Sequence, residues 1–170
     1  MRWFWIDRFT EFVSGSHATG IKNVCLDEEV VDEYCPGFPM LPPTLIIEGM
    51  AQLGGILVAE HFEFDKRVVL AKVGKAAFHA PAVNGDQLNY EVRLDRIQPN
   101  GGTVVSTSRC GDRLQAEIDL MFAFLEPGQV PVEGPLFDPV DLRSMLQIMK
   151  FFSVAVDARG NRFPDYEKLR

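Results

Sequence analysis

Apolar and polar residues alternate along much of the second half of the chain. The alternation is clearest in two segments, through Leu88, Tyr90, Val92, Leu94, Ile118, Leu120, Phe122 and Phe124. A period of two is typical of half-buried β-strands. We predict four strands, separated by turns that contain Gly or Pro, at residues 68–79, 87–97, 103–109 and 114–125. In chain order they would form an antiparallel meander.

The segment 44–61 has a different pattern. Its apolar residues point in all directions around a helix axis, which is typical of a helix buried on every side. Pro43 suits the first position of a helix, because its missing N–H is not needed there. At about 1.5 Å per residue, such a helix spans roughly 25 Å and can cross a small domain.

The first third of the chain adds a hairpin and an irregular loop. Aromatic and β-branched residues at 3–13 and a second run at 17–25 flank a Ser-Gly-Ser turn, a pattern that predicts two paired strands. Four prolines and one glycine in residues 35–43 preclude regular structure. A hairpin, one buried helix and four strands indicate an α+β fold, with an antiparallel sheet wrapped around one long apolar helix.

Composition changes after Leu125. Residues 126–139 are rich in Pro and Gly and are interpreted as a linker. Asp138 and Pro139 suit the cap and first turn of a short helix that ends near Phe152 and docks its apolar side on the body or a dimer partner. We therefore expect a domain at 1–125 and a C-terminal extension at 126–170.

Charge and cysteine content limit the possible partners. A net charge of −7 argues against binding to nucleic acid or to an anionic membrane. The apolar cluster at 3–6 is too short for a signal peptide or a membrane span. Three cysteines without a C-x-x-C pair then favour a reducing cytoplasm. Because His17, His61 and His79 lack ligand-like spacing, we expect neither a metal site nor a cofactor.

Glu48 and Gln52 are the only clearly polar residues in the buried helix before its last turn. They are four residues apart and therefore lie on one face. One interpretation is a pair in the core whose hydrogen bonds are satisfied. The other is a crevice in which a carboxyl group of raised pKa serves as acid or base.

The run from Tyr34 to Gln52 resembles the signature of the β-hydroxyacyl-carrier-protein dehydratases. In that family a His-Phe-Pro-Gly turn leads through Met-Pro-Gly into a helix that reads Glu-Ala-Met-Ala-Gln. The match is ungapped over nineteen positions and retains Pro36, Gly37, Pro39, Pro42, Leu45, Glu48, Met50, Ala51 and Gln52. The resemblance extends over about residues 2–125.

The resemblance implies a hot-dog fold, a homodimer and an acyl tunnel between two subunits. The substrate would be a 3-hydroxyacyl thioester of acyl-carrier protein or coenzyme A. The family's loop histidine removes the α-proton, and the helix carboxylate of the other subunit, here Glu48, protonates the departing hydroxyl. A backbone N–H near the helix start polarises the carbonyl. The expected substrate-binding residues are Gln52, Thr44, Gly37, Phe38 and Met40.

Two family positions differ in this sequence. Tyr34 stands where the family has its histidine, and Pro43 stands where it has a glycine. An ordinary tyrosine is ionised only near pH 10, so having the phenolate at neutral pH costs about 4 kcal/mol, whereas a histidine, with an ordinary pKa near 6.5, is largely neutral there. Tyr34 could act only as an acid. Losing an oxyanion donor typically costs about 3 to 4 kcal/mol, unless the Thr44 N–H replaces it.

Several functions remain open. The protein could be a weakened dehydratase that uses Glu48 and Tyr34. It could be a thioesterase in which Glu48 activates water, since hydrolysis needs no base for the α-proton. It could also be an acyl-binding or partner subunit without activity, or a protein whose tunnel is plugged by Tyr34.

Overall fold

A computed structural model describes residues 4–125 and 139–163 of the chain. One long helix lies against a seven-stranded sheet. The elements in chain order are β1 (Arg8–Val13), β2 (His17–Asn23), α1 (Glu29–Glu33), α2 (Pro43–Glu60), β3 (Arg67–Phe78), β4 (Gln87–Gln98), β5 (Gly101–Cys110), β6 (Arg113–Leu125), α3 (Pro139–Ile148), α4 (Phe151–Val154) and β7 (Ala155–Val156).

Helix α2 forms the centre of the core, as predicted. Ile46, Met50, Leu53, Leu57 and Val58 are each at most 1% exposed and pack beneath the sheet. The helix contacts all five strands from β2 to β6. This arrangement confirms the predicted sheet wrapped around one apolar helix.

Gly49 allows the chain to approach α2 closely. A Cβ atom at this position would lie 2.5 Å from the carbonyl oxygen of Trp5 and 2.8 Å from a ring carbon of Tyr90. Glycine lowers helix stability by up to about 1 kcal/mol relative to alanine. Here glycine lets the N-terminal segment lie directly on the helix, and the resulting packing contacts offset the loss of helix stability.

The sheet order is β3-β6-β5-β4-β2-β1-β7. The opening hairpin β1–β2 and the turns β4–β5 and β5–β6 agree with prediction. The predicted four-stranded meander is wrong at β3, which pairs with β6, while β4 pairs with β2. No tight hairpin joins β3 to β4. The segment between them is held by hydrogen bonds to other parts of the chain: Leu41 N donates to Ala82 O at 2.8 Å, and Gly85 N donates to Val24 O at 3.0 Å.

The described part of the C-terminal extension packs on the body. Lys150 has φ 60°, in the left-handed region, and this residue divides the helix predicted to run to Phe152 into α3 and α4. Strand β7 then pairs parallel with β1, so the sheet is antiparallel except at this edge. Residues 126–138, assigned to the linker, and residues 164–170 lie outside the described ranges.

Candidate functional site

Glu48 is oriented by a chain of two hydrogen bonds. The backbone N–H of Trp5 donates to Gln52 Oε1 at 2.9 Å, and Gln52 Nε2 donates to Glu48 Oε1 at 3.1 Å. The backbone bond fixes which way the Gln52 amide points, so its NH₂ group faces the carboxylate. The predicted pair therefore exists, and the N-terminal segment holds it in place.

Glu48 and Gln52 line a cavity of about 570 Å³. This volume is within the range of about 300 to 1,000 Å³ that is usual for small-molecule sites. Along α2 the lining continues through Ala51, Gly55 and Ala59, whose small side chains leave the space open. The rest of the wall comes from the residues Phe4, Phe64, Asp65, Lys66, Arg67, Val68, Leu70, Phe122, Leu142, Met145 and Met149, with Ile56 of α2.

The cavity lining is mainly apolar, with polar side chains at Glu48 and Gln52 on α2 and charged side chains at residues 65–67. The carboxyl group and amide of α2 meet a lining built mostly of aliphatic and aromatic side chains. No histidine lines it among the described residues. Such a site can hold an apolar chain and present the Glu48 carboxyl group to a polar part of the same ligand.

The loop before α2 presents its side chains outward. Tyr34 follows α1 and is 53% exposed, and Phe38 is 49% exposed. Phe38 N donates to Cys35 O at 2.9 Å, and Gly37 has φ +83°, which only glycine adopts without strain. Pro36 precedes it, so the four residues form a type II turn. Tyr34, Gly37 and Phe38 do not line the Glu48 cavity of the same chain.

The start of α2 borders a second, smaller cavity. Met40, Pro43 and Gln115 line this space of about 260 Å³. Met40 N donates to Val31 O at 3.1 Å, which ties the loop to α1. Thr44 is exposed, and its N–H has no hydrogen-bond acceptor within the described residues. That N–H is the first free donor of α2, because Pro43 has none.

His79 forms an exposed hydrogen bond with Glu117. Its Nε2 lies 3.0 Å from Glu117 Oε2, and Lys75 Nζ lies 3.7 Å from Glu117 Oε1. The hydrogen bond from His79 and the charge of Lys75 lower the pKa of the Glu117 carboxyl. His79 also borders the smaller cavity and does not line the larger one.

The N-terminal segment contributes to the site in a way that the sequence pattern does not predict. Phe4 lines the cavity, and Lys22, which is buried, pairs with Glu28 and lies 3.7 Å from Asp7 Oδ1. The Lys22 ammonium also lies 5.7 Å from the Trp5 ring centroid, which places a cation over the aromatic face. The aromatic cluster at 3–6 was the available signal, but its pairing with Gln52 is a tertiary contact.

Two further observations concern metal ligands and membrane spans in the described part of the chain. Residues 4–125 and 139–163 contain no group of three or more His, Cys, Asp or Glu side chains placed to hold a metal ion. No helix in these ranges is long and apolar enough to cross a membrane.

A family model described as a FabA-like domain matches residues 3–112. The chain belongs to the FabA-like family. A 3-hydroxyacyl-(acyl-carrier-protein) dehydratase FabZ of Pelotomaculum thermopropionicum is 38% identical over 119 residues, 69% of this chain and 85% of the relative. The FabZ of Thermomicrobium roseum is 35% identical over 123 residues, 72% of this chain and 83% of the relative.

Solved structures with low identity show the same fold. The dehydratase heterocomplex ApeI:P from Xenorhabdus doucetiae aligns with a TM-score of 0.61 at 17% identity, covering 74% of this chain and 85% of that one. A Streptococcus mutans protein bound to acetyl CoA aligns with a TM-score of 0.57 at 15% identity, covering 69% and 87%. The FabA-like chain therefore has the hot-dog fold.

Proposed function

We propose that this FabA-like protein binds 3-hydroxyacyl thioesters of fatty-acid metabolism, carried by acyl-carrier protein or coenzyme A. Glu48 is its remaining acid–base residue, and dehydration is slow. The observation that carries the proposal is the Glu48 carboxyl group, which Gln52 orients and which lines a mainly apolar cavity of about 570 Å³.

Dehydration removes the α-proton and the 3-hydroxyl group of the thioester, forms the carbon–carbon double bond and releases water. The Glu48 carboxyl group can supply the proton that lets the hydroxyl leave as water. Thr44 does not line the Glu48 cavity of its own chain, so in this proposal its free N–H comes from a second copy of the chain, where it replaces the donor that Pro43 lacks and polarises the thioester carbonyl. The α-proton has no strong base to accept it, because a neutral Tyr34 phenol donates better than it accepts. Slow turnover follows.

A second copy of the chain completes the proposed site. Strand β3 is a twelve-residue edge strand whose Leu70, Val73 and Phe78 are exposed. Long apolar edges are normally paired or covered. Pairing two β3 strands in a homodimer gives each Glu48 cavity a partner loop, from which Tyr34, Gly37, Phe38 and Met40 contact the substrate. The outward direction of Tyr34 and Phe38 supports this arrangement.

The test is turnover of 3-hydroxybutyryl and crotonyl thioesters on both carriers, followed by product analysis. Glu48→Gln keeps the hydrogen-bonding shape but cannot exchange a proton, so it should abolish the slow dehydration. Glu29→Gln, an exposed carboxylate change on α1, is the matched control and should have no effect. Equal rates for Glu48→Gln and wild type would exclude Glu48 as the acid.

A thioesterase is the second candidate, supported by the carboxylate that remains in a cavity without histidine. Glu48 would take a proton from water, whose oxygen attacks the thioester carbonyl and expels the thiol. Release of free coenzyme A, followed with a thiol reagent in the same reactions, separates the two candidates. If the wild type releases thiol, forms no enoyl product and loses thiol release in Glu48→Gln, the proposed function would be hydrolysis and not dehydration.

A further inference from the structure

The C-terminal extension supplies part of the wall of the Glu48 cavity. Leu142 and Met145 lie on α3, and Met149 lies one turn beyond Met145. Their spacing of three and four residues places them on one helical face. This face lines the same space as Glu48 and Gln52. The extension therefore contributes side chains to the site.

The wall is firmly attached to the domain. Leu146, Met149 and Phe151 are at most 1% exposed. Phe9 N donates to Met149 O at 2.8 Å, which joins the turn after α3 to β1. The Phe151 ring lies 4.7 Å from that of Phe12, edge to face. A segment with this much buried contact forms a fixed boundary, in contrast to a mobile flap.

These wall residues lie outside the matched part of the family. The FabA-like model ends at residue 112, whereas the wall begins at Leu142. The cavity boundary at this side is therefore set by residues that the family pattern does not include.

We propose that Leu142, Met145 and Met149 limit the length of the acyl chain that the cavity accepts. Acyl occupancy rests on the function proposed above. From Glu48 to Ala59 the α2 side of the cavity extends about 16 Å, at about 1.5 Å per residue. Glu48 and Gln52 face the thioester end, and the aliphatic and aromatic side chains that make up most of the remaining lining contact a medium or long chain. Methionine side chains are flexible and adapt to the shape of such a chain.

The experiment measures binding of S-alkyl coenzyme A thioethers from butyl to hexadecyl by calorimetry. Thioethers can be neither hydrolysed nor dehydrated, so binding is measured apart from turnover. Each buried methylene should tighten Kd about fourfold until the chain reaches the wall, after which affinity stops rising. Met145→Ala should move this limit to longer chains, and Gly55→Leu, which fills the α2 side, should move it to shorter ones.

Ile148→Ala is the matched control, because Ile148 is on the same helix but exposed and outside the cavity. This variant should leave the chain-length limit unchanged. Leu142→Ala serves as a second widening variant should Met145→Ala fail to fold. An identical limit in every folded variant would overturn the proposal, as would wild type that binds no thioether of any length. If the protein does not catalyse dehydration but the chain-length limit still shifts in the cavity variants, only the proposed catalysis would be refuted.

Discussion

At the scale of single residues, Tyr34 and Pro43 are the two site positions at which this chain departs from the dehydratase signature that it resembles. Glu48 and Gln52 are hydrogen-bonded to each other and line the cavity, so the acid that we propose is in place. What differs from the family pattern is the base for the α-proton and the backbone donor at the helix start. Both differences come from side-chain identity, since α2 begins at Pro43 as the pattern predicts.

Replacing both residues tests this interpretation. Tyr34→His together with Pro43→Gly should raise the dehydration rate strongly, because a general base is typically worth about 10²–10⁴-fold and an oxyanion donor about 10²–10³-fold. The measurement is turnover of 3-hydroxybutyryl thioesters. Tyr34→Phe is the control and should change the rate little. A folded double variant without any gain would mean that the crevice itself differs from that of active relatives.

Two glycines of α2 give opposite expectations for stability. Gly49→Ala should lower the free energy of unfolding by about 1 to 3 kcal/mol, because its Cβ would lie 2.5 Å from the Trp5 carbonyl oxygen. Gly55→Ala should raise it by up to about 1 kcal/mol, because its Cβ meets only Phe122, at an ordinary 3.5 Å. Urea unfolding measures both. A stabilising Gly49→Ala would show that Trp5 does not press on the helix.

At the scale of elements, the extension is joined to the sheet through an aromatic cluster. The Phe151 ring lies 5.4 Å from that of Phe9 and 4.7 Å from that of Phe12, and it is fully buried. Phe151→Ala should therefore destabilise the protein by about 3 to 5 kcal/mol. Phe152→Ala, at a half-buried neighbour, should have a much smaller effect in the same thermal melt. Equal melting temperatures for wild type and Phe151→Ala would mean that the extension does not stabilise the domain.

The long elements could be predicted from the sequence, because their periodicity extends over many residues. Helix α2 and the six strands of the body differ from their predicted limits by only a few residues, apart from the start of β1. Pairing of β3 with β6 was missed, because long-range partners depend on the whole sheet. Helix α1 and strand β7 have five and two residues, too few to produce a pattern.

The candidate site was predictable only in part. Glu48 and Gln52 were identifiable because a polar pair in an apolar helix requires an explanation, and they do lie together. The cavity wall formed by Phe4 and Met145 was not, since residues that are far from Glu48 along the chain leave no local signal of their position in the fold. The position of Tyr34 relative to Glu48 involves a second chain in our proposal, so no single-chain pattern contains it.

At the scale of the whole molecule, the two edges of the sheet differ. One edge ends in β7, which has only two residues and offers few unpaired backbone groups. The other edge is β3, twelve residues long, with apolar side chains exposed. Short edges resist association and long apolar edges favour it. The asymmetry supports a two-fold dimer formed through β3, with the same surface contributed by both copies.

A charge placed on β3 tests the dimer. Val73 is 38% exposed and lies outside the Glu48 cavity, so Val73→Lys should separate the copies without filling the site. Light scattering at micromolar concentration should give the mass of two chains for wild type and of one chain for the variant. Dehydration should fall with it, because each cavity would lose the loop of its partner.

Val105→Lys is the matched control for this experiment. Val105 is 44% exposed but lies on β5, inside the sheet, where no edge is available for pairing. The variant should remain a dimer and keep the activity of wild type. Wild type that is monomeric at these concentrations would exclude the shared site and would require Glu48 to work with residues of its own chain. A dimer that survives Val73→Lys would place the interface elsewhere, and Tyr34 would then have to reach Glu48 by another contact.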